Sequence, residues 1–343
     1  MLDMTSVAIS PPRSDGLSEN DLALVEALQR APRAPWTRIG AAVGVDATTA
    51  ARRWDRLSSA GLAWLTAYPT APMLTIGYLH LACRPDALAA VTRQLCQWPS
   101  VFSVERTSGR HQLFVGACAR DLVAMDSLVS GRLGELDGLT AAHLAVATRI
   151  YREGSGWLIG ALAPAQRTVL HETHQRLPGA SRWGDDELAV LIRVLNTDGR
   201  RSSADLARVC GVSETAVRRQ VARMIGTHEL LFRCDIAHQV AGWPVVVHFR
   251  ASVPGNLLDG VGHRIAELPE TRLCAAVTGE ANLVVSAWLR TSSDCADFEA
   301  RLAASHPAIS IVDRDITINM PKRMGRLLDP RGVAIGHVPI APA

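Results

Sequence analysis

The chain has 343 residues, of which 48% are hydrophobic and 20% are charged, and its formal net charge is +3. This length is enough for two to four compact units with buried cores. No apolar run approaches the ~20 residues of a membrane-spanning helix, and residues 1–16 carry Asp3, Pro11, Pro12 and Asp15 where a signal segment would be apolar. The seven cysteines form no Cys-x-x-Cys pair, which indicates a reduced, cytoplasmic protein without a membrane partner. The mild positive charge neither supports nor excludes a nucleic-acid partner.

The first half begins with three predicted amphipathic helices, at Asp21–Leu28, Trp36–Val43 and Asp46–Leu57. Three matching helices are predicted in the second half, at Asp185–Leu195, Ala204–Cys210 and Ser213 to about Ile225. Ser203 is the expected N-cap of the short helix, Gly211 ends it, and Ser213 caps the next. A short helix, a glycine turn and a capped second helix are typical of a helix-turn-helix. The free N–H groups at Ser213 suit a phosphate or a base edge.

The predicted DNA contacts lie on the exposed side of the two second helices. They are Thr48, Thr49, Arg52, Arg53 and Arg56 in the first copy, and Ser213, Glu214, Thr215, Arg218, Arg219 and Arg223 in the second. Asp46 and Asp55 lower the positive charge of the first copy, so we expect the second copy to contribute more of the DNA contact. A scaffold without DNA contacts stays open as an alternative for the first copy.

An internal repeat supports this assignment. Residues 39–45 align with residues 206–212 at an offset of 167 positions, and residues 108–113 align with residues 278–283 at an offset of 170. Each half has the length of a typical pair of domains, so the repeat predicts a duplicated two-domain unit.

The rest of each half is predicted to fold as β-α-β-β-α-β, the ferredoxin-like order. The first set is Leu74–Ala82, Asp86–Trp98, Val101–Thr107, Leu113–Ala119, Asp121–Leu133 and Leu139–Tyr151. The second set is Val245–Arg250, Leu257–Leu268, Leu273–Thr278, Leu283–Leu289, Ala296–Ala304 and Ile309–Met320. Two such open sheets are expected to pair face to face, as a fused pseudo-dimer suited to a near-palindromic DNA site.

The predicted fold class is therefore α+β, with two winged-helix-like helix-turn-helix domains alternating with two ferredoxin-like βαββαβ domains. The expected boundaries are 17–68, 72–153, a linker at 154–183, 184–238 and 243–328. Helix-like spacing within the linker runs from Gln166 to Gln175, and the tail from Pro330 is expected to be irregular.

The segment from Leu206 to Met224 resembles the recognition segment of the Lrp/AsnC (leucine-responsive/asparagine regulator) family, and Val277–Leu283 resembles its β-turn-β effector segment. The resemblance implies a DNA-binding regulator whose α/β domains bind a small effector, such as an amino acid, and assemble the chain into homo-oligomers. The implied effector residues are Thr278, Gly279, Glu280, Asn282, Ser108, Gly109 and Gln112. The family usually has an aspartate where this chain has Gln112 and Asn282, and a neutral amide cannot pair ionically with an ammonium group.

The same two-domain architecture also resembles that of siroheme decarboxylases, and such an enzyme is the alternative interpretation. Their His-Asn-Tyr-x-Arg segment would fall at residues 102–106 and 273–277, which contain neither histidine nor tyrosine. His171 and His174 supply only two of the three or four ligands that a zinc site needs. We therefore expect a protein that is not an enzyme, with no catalytic residue, no metal and no cofactor.

Overall fold

The computed structural model of the chain describes residues 17–70, 74–170, 183–305 and 307–343. The helices in these ranges are α1 (Glu19–Arg30), α2 (Trp36–Val43), α3 (Ala47–Ser59), α4 (Leu88–Gln97), α5 (Leu122–Asp126), α6 (Pro164–Val169), α7 (Asp185–Thr197), α8 (Ser203–Cys210), α9 (Glu214–Gly226), α10 (Leu258–Glu267) and α11 (Asp294–Ser305). The strands are β1 (Ala63–Pro69), β2 (Thr75–Cys83), β3 (Val101–Thr107), β4 (Leu113–Ala119), β5 (Leu139–Arg152), β6 (Leu230–Ile236), β7 (Val245–Ser252), β8 (Thr271–Val277), β9 (Leu283–Leu289), β10 (Ser310–Arg323), β11 (Arg326–Leu328) and β12 (Ala334–His337).

Both helix-turn-helix units form as the capping pattern predicts. Gly44 and Gly211 end α2 and α8 in the left-handed conformation, with φ of 74° and 69°, which a glycine adopts without a Cβ clash. Asp46 and Ser213 cap α3 and α9 through their side-chain oxygens. The N-cap of α8 is Ser202 and not Ser203, because the Ser202 hydroxyl is the group that accepts the free backbone N–H.

The two helix-turn-helix units are joined to each other. The strand that follows each recognition helix, β1 or β6, pairs antiparallel with the strand of the other unit, so neither unit forms a wing of its own. Helix α1 packs on β6 and helix α7 packs on β1. The Gln29 amide donates to the Cys234 carbonyl at 3.2 Å, and the Asn196 amide donates to the Ala67 carbonyl at 3.0 Å. The two bonds are equivalent, because Asn196 follows Gln29 by 167 positions and Cys234 follows Ala67 by 167 positions. This equivalence places a pseudo-twofold axis between the units.

Arginine side chains repeat the same symmetry at the edge of this contact. The Arg33 guanidinium donates to the carbonyls of Gly199 and Arg201 at 2.9 and 2.8 Å. Its counterpart Arg200 donates to the carbonyls of Pro32 and Ala34 at 2.7 and 2.9 Å. Hydrogen bonds from charged donors are stronger than those between neutral groups, so these four bonds help to fix the relative position of the two units.

The strands β2 to β5 and β7 to β10 close into one barrel. Within each half the element order is β-α-β-β-α-β, as predicted, but the two sheets are also hydrogen-bonded to each other along both edges, through β5–β8 and β10–β3. The β10–β7 pairing completes the ring of eight strands. The expectation of two open sheets that only face each other is therefore corrected: pairing the exposed edges satisfies backbone groups that an open sheet leaves free.

Helices cover the outside of the barrel, and the inside is filled separately. The apolar faces of α4 and α5 pack with one half of the sheet, and those of α10 and α11 pack with the other. A π-helical turn at Ser127–Leu133 continues α5. A smaller apolar cluster, which includes Tyr78, Phe114 and Val284, lies between the two halves. Side chains thus fill the middle of the barrel and leave space at its two ends.

The C-terminal tail is more regular than expected. Strands β11 and β12 form a hairpin that extends the sheet from β10, and the Ala334 N–H donates to the Gly61 carbonyl of the first helix-turn-helix unit. In the linker, α6 covers only the start of the predicted Gln166–Gln175 helix, and His171 and His174 lie outside the described residues. Within the described ranges no helix has both the length and the hydropathy to cross a membrane, and the seven cysteines are free thiols.

Candidate nucleic-acid interface and ligand cavities

The predicted DNA contacts lie on the surfaces of α3 and α9 that face away from the core. The exposed residues in this set are Ser213, Thr215, Arg218, Arg219, Thr48, Arg52 and Arg56, and the half-buried ones are Thr49, Arg53, Glu214 and Arg223. The opposite faces of the two helices are buried, through Trp54 and Leu57 in α3 and through Val217 and Met224 in α9. Each recognition helix is therefore amphipathic in the sense that the sequence pattern predicts.

Three of these arginines form ion pairs with acidic neighbours. Arg56 pairs with Asp21 of α1 at 2.5 Å, and Arg223 makes a double contact with Glu229 at 2.6 and 2.8 Å. Arg218 pairs with Glu214 one helical turn earlier. These ion pairs refine the sequence prediction, because they orient the arginines toward their own unit. The two exposed arginines at equivalent positions, Arg52 and Arg219, are the matched pair of cations on the outer face.

The two recognition helices differ in the residue that caps their N-termini. At α3 the Asp46 carboxylate accepts the Thr49 N–H at 2.8 Å and the Thr49 hydroxyl at 2.6 Å, and these bonds lower the pKa of Asp46. At α9 the uncharged Ser213 hydroxyl accepts the Ala216 N–H at 3.2 Å. The acidic residue of α9 is Glu214 in the first turn, where it pairs with Arg218. The Asp46 carboxylate thus lies at the cap position itself and opposes a phosphate at the end of α3, whereas the cap position of α9 is uncharged.

Most of the predicted effector residues have structural partners. The Gln112 amide oxygen accepts the Cys83 N–H at 2.9 Å, and the Asn282 amide bonds both main-chain groups of Val253 at 2.9 and 2.8 Å. These amides tie each hairpin to the end of a neighbouring strand, a role that the sequence pattern did not reveal.

The hydroxyls of Ser108 and Thr278 connect the two halves. They accept the N–H groups of Ile316 and Val146, at 3.0 Å each, in contacts related by the 170-position offset. Gly109 lies beside them, where a Cβ atom would collide with the Asp315 carboxylate.

The barrel end formed by the two hairpins contains a cavity of about 250 Å³, and Glu280 is the predicted effector residue that lines it, next to the Gly279 turn with φ of +116°. Other polar lining residues are His80, Arg110, His111, His143 and Arg250. Burial lowers the pKa of His80 to about 3, so this imidazole is neutral. No group of three or more potential metal ligands occurs in the part of the chain that the structure describes.

The other end of the barrel, beneath β1 and β6, contains a cavity of about 310 Å³, which we call the upper cavity. Three arginines line or adjoin it around one carboxylate. Asp235 contacts Arg233 at 2.7 Å, Arg272 at 2.6 Å and Arg323 at 3.4 Å, and all four side chains are buried. Burial by itself raises the pKa of Asp235, but the three guanidiniums hold it below its usual range.

A second polar network lines the upper cavity opposite the arginines. The His248 Nε2 atom lies 2.9 Å from the Glu105 carboxylate, its Nδ1 atom lies 2.6 Å from the Ser286 hydroxyl, and the Thr317 hydroxyl donates to Glu105 at 2.6 Å. Burial opposes the charge of Glu105, yet His248 and these hydrogen bonds lower its pKa to about 2. The carboxylate is therefore ionised and already engaged.

Sequence reasoning missed the upper cavity. One signal was present, because Arg233 and Arg272 interrupt strands that are mostly apolar, and a charged residue in a buried strand needs a partner. That partner, Asp235, lies close in sequence only to Arg233, so the cluster forms only when β6, β8 and β10 come together in the folded chain.

Comparison with protein families identifies the domains. The AsnC-type helix-turn-helix domain matches residues 17–58 and 190–225, which contain α1 to α3 and most of α7 to α9. The Lrp/AsnC ligand binding domain matches residues 77–157, which cover the first half of the barrel. Both helix-turn-helix copies predicted from the repeat are thus confirmed.

Curated relatives each match less than half of the chain. An uncharacterized HTH-type transcriptional regulator of Pyrococcus abyssi is 21% identical over 152 residues, which are 43% of this chain and 96% of the relative. The HTH-type transcriptional regulator LrpA of Pyrococcus horikoshii is 26% identical over 129 residues, which are 36% of this chain and 91% of that protein.

A solved structure with likeness over both halves is that of the siroheme decarboxylase NirDL, with a TM-score of 0.59 and 12% identity over 90% of this chain and 93% of that one. This likeness shows a shared fold.

Proposed function

We propose that this chain, which belongs to the Lrp/AsnC family by its helix-turn-helix and ligand binding domains, is a sequence-specific DNA-binding transcriptional regulator. The observation that carries the proposal is the symmetric frame between the two helix-turn-helix units. The β1–β6 pairing and the matched bonds of Gln29, Asn196, Arg33 and Arg200 hold two recognition helices in a fixed pseudo-twofold relation within one polypeptide. Such a relation suits a DNA site with two similar half-sites.

The two units are expected to contribute unequally to DNA affinity. The α9 unit presents Arg219 and a neutral Ser213 cap, whereas the α3 unit presents Arg52 behind the Asp46 carboxylate. Arginine contacts to phosphates release counterions, so binding should weaken as salt rises.

The test measures affinity for the DNA upstream of the protein's own gene, by fluorescence anisotropy at several salt concentrations. Arg219→Ala should weaken binding and reduce the slope of log K against log salt by about 1. Arg52→Ala should also weaken DNA binding, but by less than Arg219→Ala. Arg93→Ala removes an equal charge from an exposed position on α4 of the barrel and is the matched control. Equal affinities for all three variants and the parent chain would contradict the proposal.

We extend the proposal to the finer features of the architecture. Each half of the barrel is regarded as one ferredoxin-like unit whose edges have joined those of its copy, with boundaries at 72–153 and 243–328. The barrel is expected to sense a small metabolite, such as an amino acid, and to mediate homo-oligomer formation. A regulator of chromosomal DNA acts in the cytoplasm, and no enzymatic activity is required of it.

A tetrapyrrole decarboxylase is the second candidate function. What favours it is that the fold likeness to the siroheme decarboxylase NirDL extends over 90% of the chain. The upper cavity is also lined by Phe102, Ser103 and Leu273, which lie in the two strands where the catalytic segment of such an enzyme is expected. Those strands lack the expected histidine and tyrosine. Titration with haem and siroheme separates the two candidates, since a decarboxylase should shift the tetrapyrrole absorption spectrum and a regulator with a small effector should not.

A further inference from the structure

The upper cavity lies between the two parts of the molecule that regulation must connect. Tyr68 and Pro69 at the end of β1, and Leu231 and Arg233 in β6, form its wall on the helix-turn-helix side. The remaining wall comes from the barrel strands. A barrel of eight strands has an interior that either is filled by side chains or holds one small ligand. A molecule bound here would touch both the barrel and the strands that follow the two recognition helices.

The three guanidiniums beside this cavity share a single carboxylate in direct ion pairs. Asp235 is the carboxylate within ion-pair distance of all three guanidiniums of Arg233, Arg272 and Arg323. Glu105 is engaged by His248 and Thr317, as described above. Glu153 also lines the cavity, where its carboxylate accepts the Tyr68 hydroxyl at 2.5 Å and its charge helps to raise the pKa of Arg233. Arg272, in contrast, shares Asp235 with two other guanidiniums and has no carboxylate of its own among the described residues, which destabilises a buried cation.

Arg272 is the member of the cluster with open donor positions. One of its terminal nitrogens binds Asp235, while Nε and Nη1 have no hydrogen-bond partner in the described part of the chain. The guanidinium is 3% exposed and lies over the rings of Trp288 at 3.9 Å and Trp157 at 4.5 Å. Burial and the neighbouring guanidiniums lower the pKa of Arg272, which shows that its surroundings oppose the charge. A planar guanidinium with two free N–H donors matches a carboxylate.

The rest of the lining is mostly apolar and limits the size of the ligand. It includes Ile76, Phe102, Leu231, Val246, Leu273 and Met320. The volume of about 310 Å³ is at the low end of the ~300–1,000 Å³ range of small-molecule sites. A space of this size matches an amino-acid-sized acid with a ring or branched chain.

We propose that the upper cavity binds one small monocarboxylate with an apolar body, and that the carboxylate pairs with Arg272. The apolar body lies against the strands from both halves of the barrel. The described part of the chain has one such site. At the pseudo-twofold positions of Arg272 and Arg323 the chain has Phe102 and Glu153, which cannot form a second arginine cluster. Bound ligand also fixes β1 and β6 relative to the barrel, and this second part of the proposal rests on the proposed DNA-binding function.

The experiment measures binding to the full chain by tryptophan fluorescence and calorimetry, without DNA. The probes are phenylacetate, 3-phenylpropionate, indole-3-acetate and 4-methyl-2-oxopentanoate, each of the three aryl acids with its uncharged amide. At least one acid should bind about tenfold or more tightly than its amide, because a hydrogen bond to a charged group is lost in the amide. Arg272→Gln should weaken that binding about ten- to hundredfold.

A second variant is needed because Arg272→Gln could lose binding simply by failing to fold. Leu74→Trp adds volume at the partly exposed rim of the cavity and leaves the arginines in place, so it should block the ligand in a folded protein. Leu257→Trp makes the same change at a position that is 43% exposed on the barrel surface and should bind normally.

Binding of acid and amide with equal affinity, or binding that survives Leu74→Trp, would overturn the proposed site. Binding of haem or siroheme without any binding of the small acids would overturn the ligand class and favour the second candidate function. A ligand that binds as proposed but leaves DNA affinity unchanged would overturn only the link between the two parts. DNA affinity measured without ligand tests the proposed function separately.

Discussion

Asn196 offers the sharpest test of the frame that joins the two helix-turn-helix units. Its side chain is 1% exposed; its amide N–H donates to the Ala67 carbonyl at 3.0 Å, and its amide oxygen accepts the Ile340 N–H at 2.8 Å. Asn196→Ala leaves both main-chain groups buried and unpaired. Each such group costs about 1–3 kcal/mol, so the free energy of unfolding should fall by about 2–6 kcal/mol.

The assay is urea denaturation followed by tryptophan fluorescence. Asn20→Ala is the matched control, because Asn20 is an exposed residue of α1 and the same change there reports the higher helix propensity of alanine alone. Gln29→Ala, the pseudo-symmetric change, should cost less than Asn196→Ala since Gln29 is only half-buried and its bonds are longer, at 3.2 and 3.1 Å. If Asn196→Ala and Asn20→Ala unfold at the same urea concentration, the reasoning about this frame is refuted.

Two further predictions concern pH and backbone geometry. Burial lowers the pKa of His80 and of His238 to about 3. Below about pH 6.5 the unfolded state therefore binds protons at these two histidines that the folded state does not bind. Stability should therefore be full above about pH 6.5 and fall below it, by up to about 1.4 kcal/mol per pH unit for each histidine; a flat series of urea midpoints would contradict this. Gly44→Ala should cost about 1–2 kcal/mol for its positive φ alone. Gly61→Ala should cost clearly more, because its Cβ would lie 2.2 Å from the Ala334 carbonyl oxygen, and equal losses for the two glycines would argue against that contact.

The local parts of the fold were predictable because their signals are local. The predicted bounds of α2, β3, β4 and β9 agree with the structure, since Gly44 ends α2 and the turns around Gly109 and Gly279 separate the strands of the two hairpins. The repeat offset also predicted which residues of the two recognition helices are equivalent. Arg52 and Arg219 are both exposed, as that alignment requires.

The association of the halves was not predictable from such signals. Closure of the barrel depends on edge pairing between β5 and β8 and between β10 and β3, and each of these strands also satisfies the pattern of an open sheet. The same holds for the hairpin amides, where Asn282 was assigned to an effector by resemblance while the structure gives it a main-chain partner. The upper cavity exists because the barrel closes in this way. The sequence pattern alone therefore could not predict that its arginines lie together around one cavity.

The measurement that tests the central claim most directly is DNase I footprinting on the DNA upstream of the protein's own gene. Two recognition helices held in one frame predict two protected half-sites with centres about 10–10.5 base pairs, one helical turn, apart. Protection of both should weaken in the Arg219→Ala variant and persist in Arg93→Ala. Absence of protection, or a single protected half-site that is unaffected by Arg52→Ala and Arg219→Ala, would contradict the account.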